Sequence, residues 1–213
     1  MSDHHAPGNA RDESLDKGPE YFRALYRVVR AVNSSLHLHT VLNLVAEKVA
    51  EALNVKACSL RLLDRMTDTL TISAMHGLSQ QYMQKGPVKL DKSQLDQEVL
   101  QGQTVYIRNA ANDPRFQYPE QARTEGIVSV FCVPLVSKGQ VLGVLRAYSD
   151  AEREFSAFDE EFLRTLASVS ALAIENARLY EALKRDLDET ILALWGEKPI
   201  PAALNEPDHH HID

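Results

Sequence analysis

The strongest constraint on the fold comes from two β-rich runs, residues 127–136 and 141–149, which are separated by only four residues, Ser137 to Gln140. Apolar and β-branched side chains predominate in both runs, and the connection between them contains Gly139. Two such runs joined by a short glycine-containing turn are typical of an antiparallel β-hairpin. We therefore expect both runs to be central strands of an antiparallel sheet.

Helical patterns flank the strand-like segments at both ends of the chain. The longest begins at Phe155 and extends to about Leu194, and Gly196 and Pro199 then end it. The shorter segments are helices at residues 20–35, 40–53 and 92–101, and strands at residues 55–63, 70–75 and 104–108. This order, with helices before and after the antiparallel strands, predicts the α+β class.

The segment at residues 109–126, NAANDPRFQYPEQARTEG, is rich in residues that favour turns and helix caps. A connection of this length without its own secondary structure is uncommon inside a compact domain unless it has a function. We therefore predict that this loop covers a ligand.

The length of 213 residues and the apolar content of 44% fit one folded domain with tails. We place the domain at residues 20–185 and a coiled-coil-like helical extension at residues 186–195. Residues 1–19 are predicted to be a disordered tail, and residues 196–213 a flexible one whose histidines receive no role. The pattern of a kinase, a cyclase or a helix-turn-helix is missing, so a signal is expected to pass to a separate partner protein.

The charge distribution disfavours nucleic-acid and membrane partners. The net charge is −7, and the 23 Lys and Arg residues are spread along the chain, whereas nucleic-acid binding requires a concentrated basic surface. No apolar run approaches the ~20 residues that span a bilayer, and the N-terminus lacks the features of a signal peptide. We therefore expect a cytoplasmic protein.

Sequence signatures of catalysis are also missing. The chain has no zinc-ligand spacing, Walker loop, glycine-rich dinucleotide turn or G-x-S-x-G motif, and we predict neither an enzyme nor a metal site. The two cysteines, Cys58 and Cys132, lie in apolar alternating segments, where a thiol normally behaves as a small apolar core group. We expect both thiols to be buried and inert.

Motifs along most of the chain resemble those of one family. The run EGIVSVFCVPLVSKGQVLGVLRAYSD, followed by REFSAFDEEFLRTLASVSALAIENARLYE, strongly resembles the second half of a GAF domain. The segments ACSLRLLD, LTISAMHGL and NDPRF agree with the first half, so the resemblance covers about residues 20–185. It implies a twisted sheet of about six strands, with helices from both chain ends on one face and a ligand pocket on the other. It also implies a sensory role, with an unidentified small-molecule ligand and no assigned cofactor.

Side-chain alternation within the strands indicates which residues would face this pocket. Arg61 and Arg146 alternate with small and apolar residues suited to helix packing, so both should point into the same cavity. Two explanations stay open for them, because a buried arginine needs either a structural carboxylate partner or an anionic ligand. The full predicted ligand-binding set is Ser59, Arg61, Asp113, Phe116, Ser129, Phe131, Arg146 and Tyr148.

Cyclic-nucleotide-binding members of the GAF family carry an NK pair, followed by F, three residues and DE. Phe155, Asp159 and Glu160 match the second part, but Ser149 and Asp150 stand where NK is expected. The lysine that would pair with the aspartate is missing, so cyclic GMP is not predicted as the ligand. The remaining carboxylates instead suit the N-terminus of the last helix.

Two alternatives to a ligand sensor stay open. Free methionine sulfoxide reduction occurs on the GAF fold but needs a reactive cysteine with a resolving partner, and the strand positions of Cys58 and Cys132 disfavour it. The other alternative is a structural dimerisation module whose pocket no longer binds a ligand. The apolar spacing fits a sensor and a module equally well.

The last helix carries a second apolar stripe with alternating steps of four and three residues, as in a coiled-coil seam. Its predicted dimer-interface residues are Leu166, Val169, Ala173, Asn176, Tyr180, Leu183 and Leu187. We predict a parallel homodimer, because the shorter first helix cannot cover the whole stripe. The alternative is that the first helix of the same chain covers part of it.

Overall fold

The structure, a computed structural model, describes residues 10–35 and 37–195. Its α-helices are α1 (Ala10–Ser34), α2 (Leu38–Leu53), α3 (Gln80–Met83), α4 (Gln94–Leu100), α5 (Pro119–Glu125) and α6 (Ala157–Trp195). Its strands are β1 (Ala57–Asp64), β2 (Thr69–His76), β3 (Val88–Lys89), β4 (Val105–Ile107), β5 (Ser129–Ser137) and β6 (Gln140–Ser149). A short 3-10 helix at Leu90–Lys92 connects β3 to α4.

The strands form one antiparallel sheet in the order β3-β2-β1-β6-β5-β4. The predicted hairpin is present: β5 and β6 pair as far as Ser137 and Gln140, and the turn residues Lys138 and Gly139 have φ angles of 49° and 76°. Two consecutive positive φ angles are typical of a tight hairpin turn whose twist matches that of its strands. The predicted α+β class with an antiparallel sheet of about six strands is confirmed.

Strands β1 and β6 approach each other very closely at Gly143, which pairs with Leu62. A Cβ atom at Gly143 would lie 2.0 Å from the carbonyl oxygen of Arg61. No side chain larger than hydrogen fits at that distance, so glycine is required for the pairing. The close pairing fixes the backbone of Arg61 at the centre of the sheet.

Helices α1 and α2, together with α6 as far as Glu175, cover one face of the sheet. Leu60, Leu145 and Ala147 point from the strands into this layer, where they join a buried apolar cluster. Tyr21 of α1 stacks on Phe162 of α6, with 4.0 Å between the ring centroids. Helix α1 therefore covers the first turns of α6 within the same chain, as the alternative interpretation of the seam requires.

The N-terminus of α6 is capped by a reciprocal pair of hydrogen bonds. The backbone N–H of Ser156 donates to Asp159 Oδ2 at 2.9 Å, and the N–H of Asp159 donates to Ser156 Oγ at 3.1 Å. The Tyr21 hydroxyl donates to Asp159 as well, and Lys17 Nζ lies 3.4 Å from the same carboxylate. Asp159, which matches one position of the cyclic-nucleotide motif, therefore joins α1 to α6.

The opposite face of the sheet is covered by α3, α4, α5 and the segments that connect them. Cys132, Val144 and Tyr148 are among the strand residues that point into this second buried cluster. The covering elements contribute Tyr82, Leu95, Val99, Phe116 and Ala122. The two faces thus have separate buried clusters, as strand alternation predicts.

Several predicted boundaries need correction. Residues 10–19, predicted as part of a disordered tail, are helical, because α1 begins at Ala10. Helix α5 lies inside the segment predicted as a loop, and the chain divides into two compact units after Glu175, not after residue 185. The tail predictions for residues 1–9 and 196–213 lie outside the described residues. No described helix is both long and apolar enough to cross a membrane.

Candidate ligand site

Arg61 and Arg146 lie on the same face of the sheet, as predicted. Arg146 of β6 pairs directly with Ser59 of β1, and Arg61 stands two residues further along β1. Both arginines are buried, with 0% and 1% of their surface exposed. Ser59 and Tyr148 join them, since the two hydroxyl oxygens are 2.9 Å apart. Four of the predicted site residues therefore form one buried polar group.

Arg146 has a structural carboxylate partner. Its Nη2 donates to Asp96 of α4, and the Asp96 side chain is completely buried. The Ser93 hydroxyl donates to the other Asp96 oxygen at 2.5 Å. The Phe116 ring lies against the guanidinium of Arg146, with 5.9 Å from its central carbon to the ring centroid. For Arg146 the structural explanation is therefore the correct one.

Arg61 differs from Arg146 in that none of its three guanidinium nitrogens has a hydrogen-bond partner among the described residues. Burying an ionised group without a partner costs several kcal/mol, and proteins normally avoid it. The buried carboxylate on this face, Asp96, is already bonded to Arg146 and Ser93. Among the predicted site residues, Arg61 is the one whose whole guanidinium lacks a hydrogen-bond partner in the described part of the chain.

Two further polar groups belong to the site but were not predicted from the sequence, Tyr82 and Lys85. Within the described part of the chain, neither the Tyr82 hydroxyl nor Lys85 Nζ has a hydrogen-bond partner. Lys85 Nζ lies 3.4 Å from the centroid of the Tyr82 ring and 4.9 Å from that of Tyr118. Tyr82 in turn contacts Tyr148 edge-on, with the ring centroids 6.2 Å apart.

Burial, together with the positive charges of Arg61 and Arg146, lowers the pKa of Lys85 from 10.5 to about 5. Burial, together with the charge of Tyr148, also raises the pKa of the Tyr82 hydroxyl well above its usual value. The site is therefore dry and electropositive. An added positive charge is strongly disfavoured in it.

Two predicted site residues, Ser129 and Phe131, lie on the helix-covered face and are corrected. The Ser129 hydroxyl donates to the carbonyl oxygen of Ala151 at 2.9 Å. Phe131 stacks on Phe155, with 4.6 Å between the ring centroids, in the apolar cluster beneath the helices. Alternation along β5 explains the error, because Val130 and Cys132, and not their neighbours, face the arginines.

Asp113 lies in the segment at residues 109–126, which was predicted to cover the ligand, but its carboxylate is bonded to Arg115. Its two oxygens accept hydrogen bonds from Arg115 Nε at 3.0 Å and Nη2 at 2.8 Å, and the bonds from Arg115 lower the pKa of its carboxyl group. Asp113 and Phe131 line an open groove of ≈ 730 Å³ beside β4. The charges of that groove are paired with one another, for example Arg108 with Glu154 at 2.6 Å. Among the described residues, each charged side chain that lines this groove has an oppositely charged partner, so none of them requires a ligand.

Both cysteines are fully buried, and they lie on opposite faces of the sheet. Burial raises the pKa of the Cys132 thiol to about 12 and raises that of Cys58 as well. A thiol in this state is a poor nucleophile at neutral pH. Among residues 10–35 and 37–195, no cluster of three or more His, Cys, Asp or Glu side chains could hold a metal ion.

Comparisons with known proteins agree with this architecture. A family model described as GAF domain matches residues 37–174. The chain is 27% identical over 182 residues to the formate hydrogenlyase transcriptional activator of Salmonella typhimurium, a match that covers 83% of the chain but only 26% of that protein. The chain thus spans about a quarter of the length of this curated relative.

Two solved structures share the fold. The GAF domain of the Acinetobacter phosphoenolpyruvate-protein phosphotransferase is 29% identical, with a TM-score of 0.64 over 74% of this chain and 94% of that one. The free methionine-R-sulfoxide reductase of Neisseria meningitidis is 22% identical, with a TM-score of 0.63 over 75% of this chain and 91% of that one. At that identity the second match concerns the fold alone.

Proposed function

This chain belongs to the GAF domain family, and from this premise we propose that it is a sensory domain that binds a small molecule between the sheet and its α3–α5 cover. The observation that carries the proposal is the buried guanidinium of Arg61, which has no hydrogen-bond partner among the described residues. A ligand would supply the missing acceptors. The similarity to a transcriptional activator supports a regulatory role.

The domain performs no chemistry of its own in this proposal. Reduction of methionine sulfoxide would require a thiolate within reach of the ligand and a second thiol to resolve the product. Cys58 points to the helix-covered face, and burial raises the pKa of both thiols. The sheet therefore holds its cysteines as core residues.

A homodimer formed through α6 transmits the signal, in our proposal, to a separate cytoplasmic partner protein. The supporting observation is that Tyr180, Leu183 and Leu187 expose 53%, 68% and 57% of their surface. They follow the seam spacing, and Asn176 is exposed at the start of the same stretch. The earlier seam residues contribute less, since Leu166 and Ala173 are buried in their own chain and Val169 is half-buried.

A ligand screen on the full chain tests the proposal. Thermal shift against a metabolite library of amino acids, organic acids, nucleotides and sugars would identify stabilising compounds, and native mass spectrometry would give their stoichiometry. We expect at least one compound to bind once per chain and to raise the melting temperature. Binding should weaken in Arg61→Gln and persist in Arg108→Gln, whose arginine is exposed and lies in the other groove.

The opposite results would have distinct meanings. A chain that dimerises but binds nothing in the library would be a structural dimerisation module. Binding that survives Arg61→Gln but is lost in Arg108→Gln would move the site to the groove beside β4. Either result contradicts the proposed function.

A further inference from the structure

We propose that the ligand of this site is a small oxyanion, bearing a carboxylate or phosphate-type group, and that Arg61, Lys85 and Tyr82 bind it. The inference rests on the function proposed above and adds the chemical class of the ligand. It is carried by their buried polar atoms. Apart from Nε of Arg146, whose guanidinium is already bonded to Asp96, the buried side-chain polar atoms that lack hydrogen-bond partners in the described part of the chain belong to these three side chains. They come from β1, from α3 and from the residues just after α3.

The unused hydrogen-bonding capacity of the site is almost entirely that of donors. A guanidinium can only donate, and a lysine amine and a tyrosine hydroxyl both donate readily. A ligand that complements Arg61 and Lys85 must therefore offer acceptors. Carboxylate and phosphate oxygens supply several acceptors in one group, and their bonds to charged donors are stronger than those of neutral acceptors.

The charges of the site also favour an anion over a neutral acceptor. Asp96 is the buried carboxylate of this face, and it is already bonded to Arg146 and Ser93. Glu125 of α5 accepts instead from the backbone N–H of Ser79 at 2.9 Å and from its hydroxyl. Since arginines keep their charge, two guanidinium groups against one buried carboxylate leave an excess positive charge.

Burial limits the size of this anion. Arg61, Tyr82 and Phe116 expose 0%, 2% and 5% of their surface, so a ligand that reaches the guanidinium is enclosed by protein. Tyr148 contributes a wall of the site, because its hydroxyl already bonds to Ser59. A compact anion fits these conditions better than a nucleotide or a lipid headgroup with its chains.

Anion binding should be coupled to protonation of Lys85. Burial and the two arginines hold the pKa of Lys85 near 5, so without an anion its side chain is neutral at pH 7. The groups that face it are Tyr82 of α3, Tyr118 before α5, Arg61 of β1, Arg146 of β6, Asp96 of α4 and Glu125 of α5. A bound anion adds negative charge beside Lys85 and raises its pKa, so the anion and a proton enter together.

Isothermal titration calorimetry on the full chain tests this inference with acetate, succinate and inorganic phosphate as probes. Acetamide serves as the neutral analogue of acetate, and sodium chloride at equal ionic strength controls for screening. We expect binding by at least one of the three anions and none by acetamide. Which of these probes binds shows whether the oxyanion is a carboxylate or a phosphate.

Two variants assign the binding to the site. Arg61→Gln should weaken anion binding by at least about tenfold, because a charge-assisted hydrogen bond is lost, whereas Arg108→Gln should leave it unchanged. Between pH 6 and 8, where acetate stays ionised, the wild-type affinity for acetate should fall with rising pH, by at most about tenfold per pH unit. In Lys85→Met this dependence should disappear, which gives a second readout if Arg61→Gln does not fold.

The outcomes separate this inference from the proposed function. If acetate, succinate and phosphate all fail to bind, or bind equally well to Arg61→Gln, the anion proposal is wrong. If a neutral compound from the library binds to that site instead, the sensory function stands without the anion. If no compound of any class binds, the sensory function fails as well.

Discussion

Lys85 is a residue whose burial should have a large, pH-dependent effect on stability. Its pKa is about 5 in the folded chain and is lowered from 10.5, so between these values the unfolded chain binds a proton that the folded chain does not. Stability therefore rises with pH across this window, by up to about 1.4 kcal/mol per pH unit from this group. We expect Lys85→Met to be more stable than wild type at pH 7 and to have a flatter pH profile.

Urea denaturation of the anion-free chain at pH 6, 7 and 8 measures this profile. The matched control is Lys89→Met, since Lys89 is exposed on β3. This variant should keep the wild-type slope. Equal slopes for wild type and Lys85→Met would show that Lys85 is protonated in the folded chain.

A second prediction at this scale concerns the cysteines. Replacing Cys58 or Cys132 by Ala should lower the free energy of unfolding by about 1 kcal/mol, because each thiol fills space in a packed core. Ligand binding should persist in both variants, measured by the same calorimetry. Reduction of free methionine sulfoxide by the purified chain, lost on replacing either cysteine, would overturn the non-enzymatic proposal.

For single residues, features set by local sequence could be predicted, and contacts between residues far apart in the chain could not. Strand alternation was sufficient to place Arg61 and Arg146 on one face, because the period of two is local. It could not identify Asp96 as the partner of Arg146, since the two residues are 50 positions apart. Lys85 was missed for the same reason: only the packing of α3 on the sheet brings it to the site.

At the scale of elements, the pairing of β1 with β6 depends on Gly143. Gly143→Ala would place a methyl group 2.0 Å from the carbonyl oxygen of Arg61, which forces the strands apart. We expect a loss of about 3 kcal/mol in the free energy of unfolding, the upper range for overpacking, and weaker anion binding, because Arg61 moves with its strand.

Gly18→Ala is the matched control, because its added Cβ meets nothing within 4 Å and lies within α1. Alanine favours helix over glycine by about 1 kcal/mol, but Pro19 follows directly and disfavours the helical conformation for a preceding residue with a Cβ atom. This variant should therefore change the free energy of unfolding by about 1 kcal/mol at most. Urea denaturation of both variants tests the pair. A Gly143→Ala chain as stable as wild type would show that β1 and β6 can separate at low cost.

The long elements were predicted well, whereas the short helices α3 and α5 were not. The periodicity of α2 and of the β5–β6 hairpin is strong enough to be read from sequence alone. Helices α3 and α5 have only 4 and 7 residues, too few to be stable without tertiary contacts. Their buried residues Tyr82 and Ala122 pack in the cluster of the second sheet face, and that packing is what forms them.

At the scale of the whole molecule, the unit that begins at Asn176 exposes much of its apolar surface. Tyr180, Leu183 and Leu187 are each more than half exposed, and a single helix in water gains nothing from such residues. Their spacing of three and four residues repeats the seam of a coiled coil. A second copy of the chain, with the same stripe, is the simplest cover for them.

Sedimentation equilibrium on the full chain tests this dimer. Wild type should be dimeric at micromolar concentration, and Leu183→Asp combined with Leu187→Asp should be monomeric, because each charge would be buried beside its symmetry mate. The control is Leu179→Asp combined with Leu192→Asp, which places the same two charges on exposed positions of α6 outside the seam. This control should remain dimeric. A monomeric wild-type chain, or dissociation by both double variants alike, would exclude a dimer specified by this stripe.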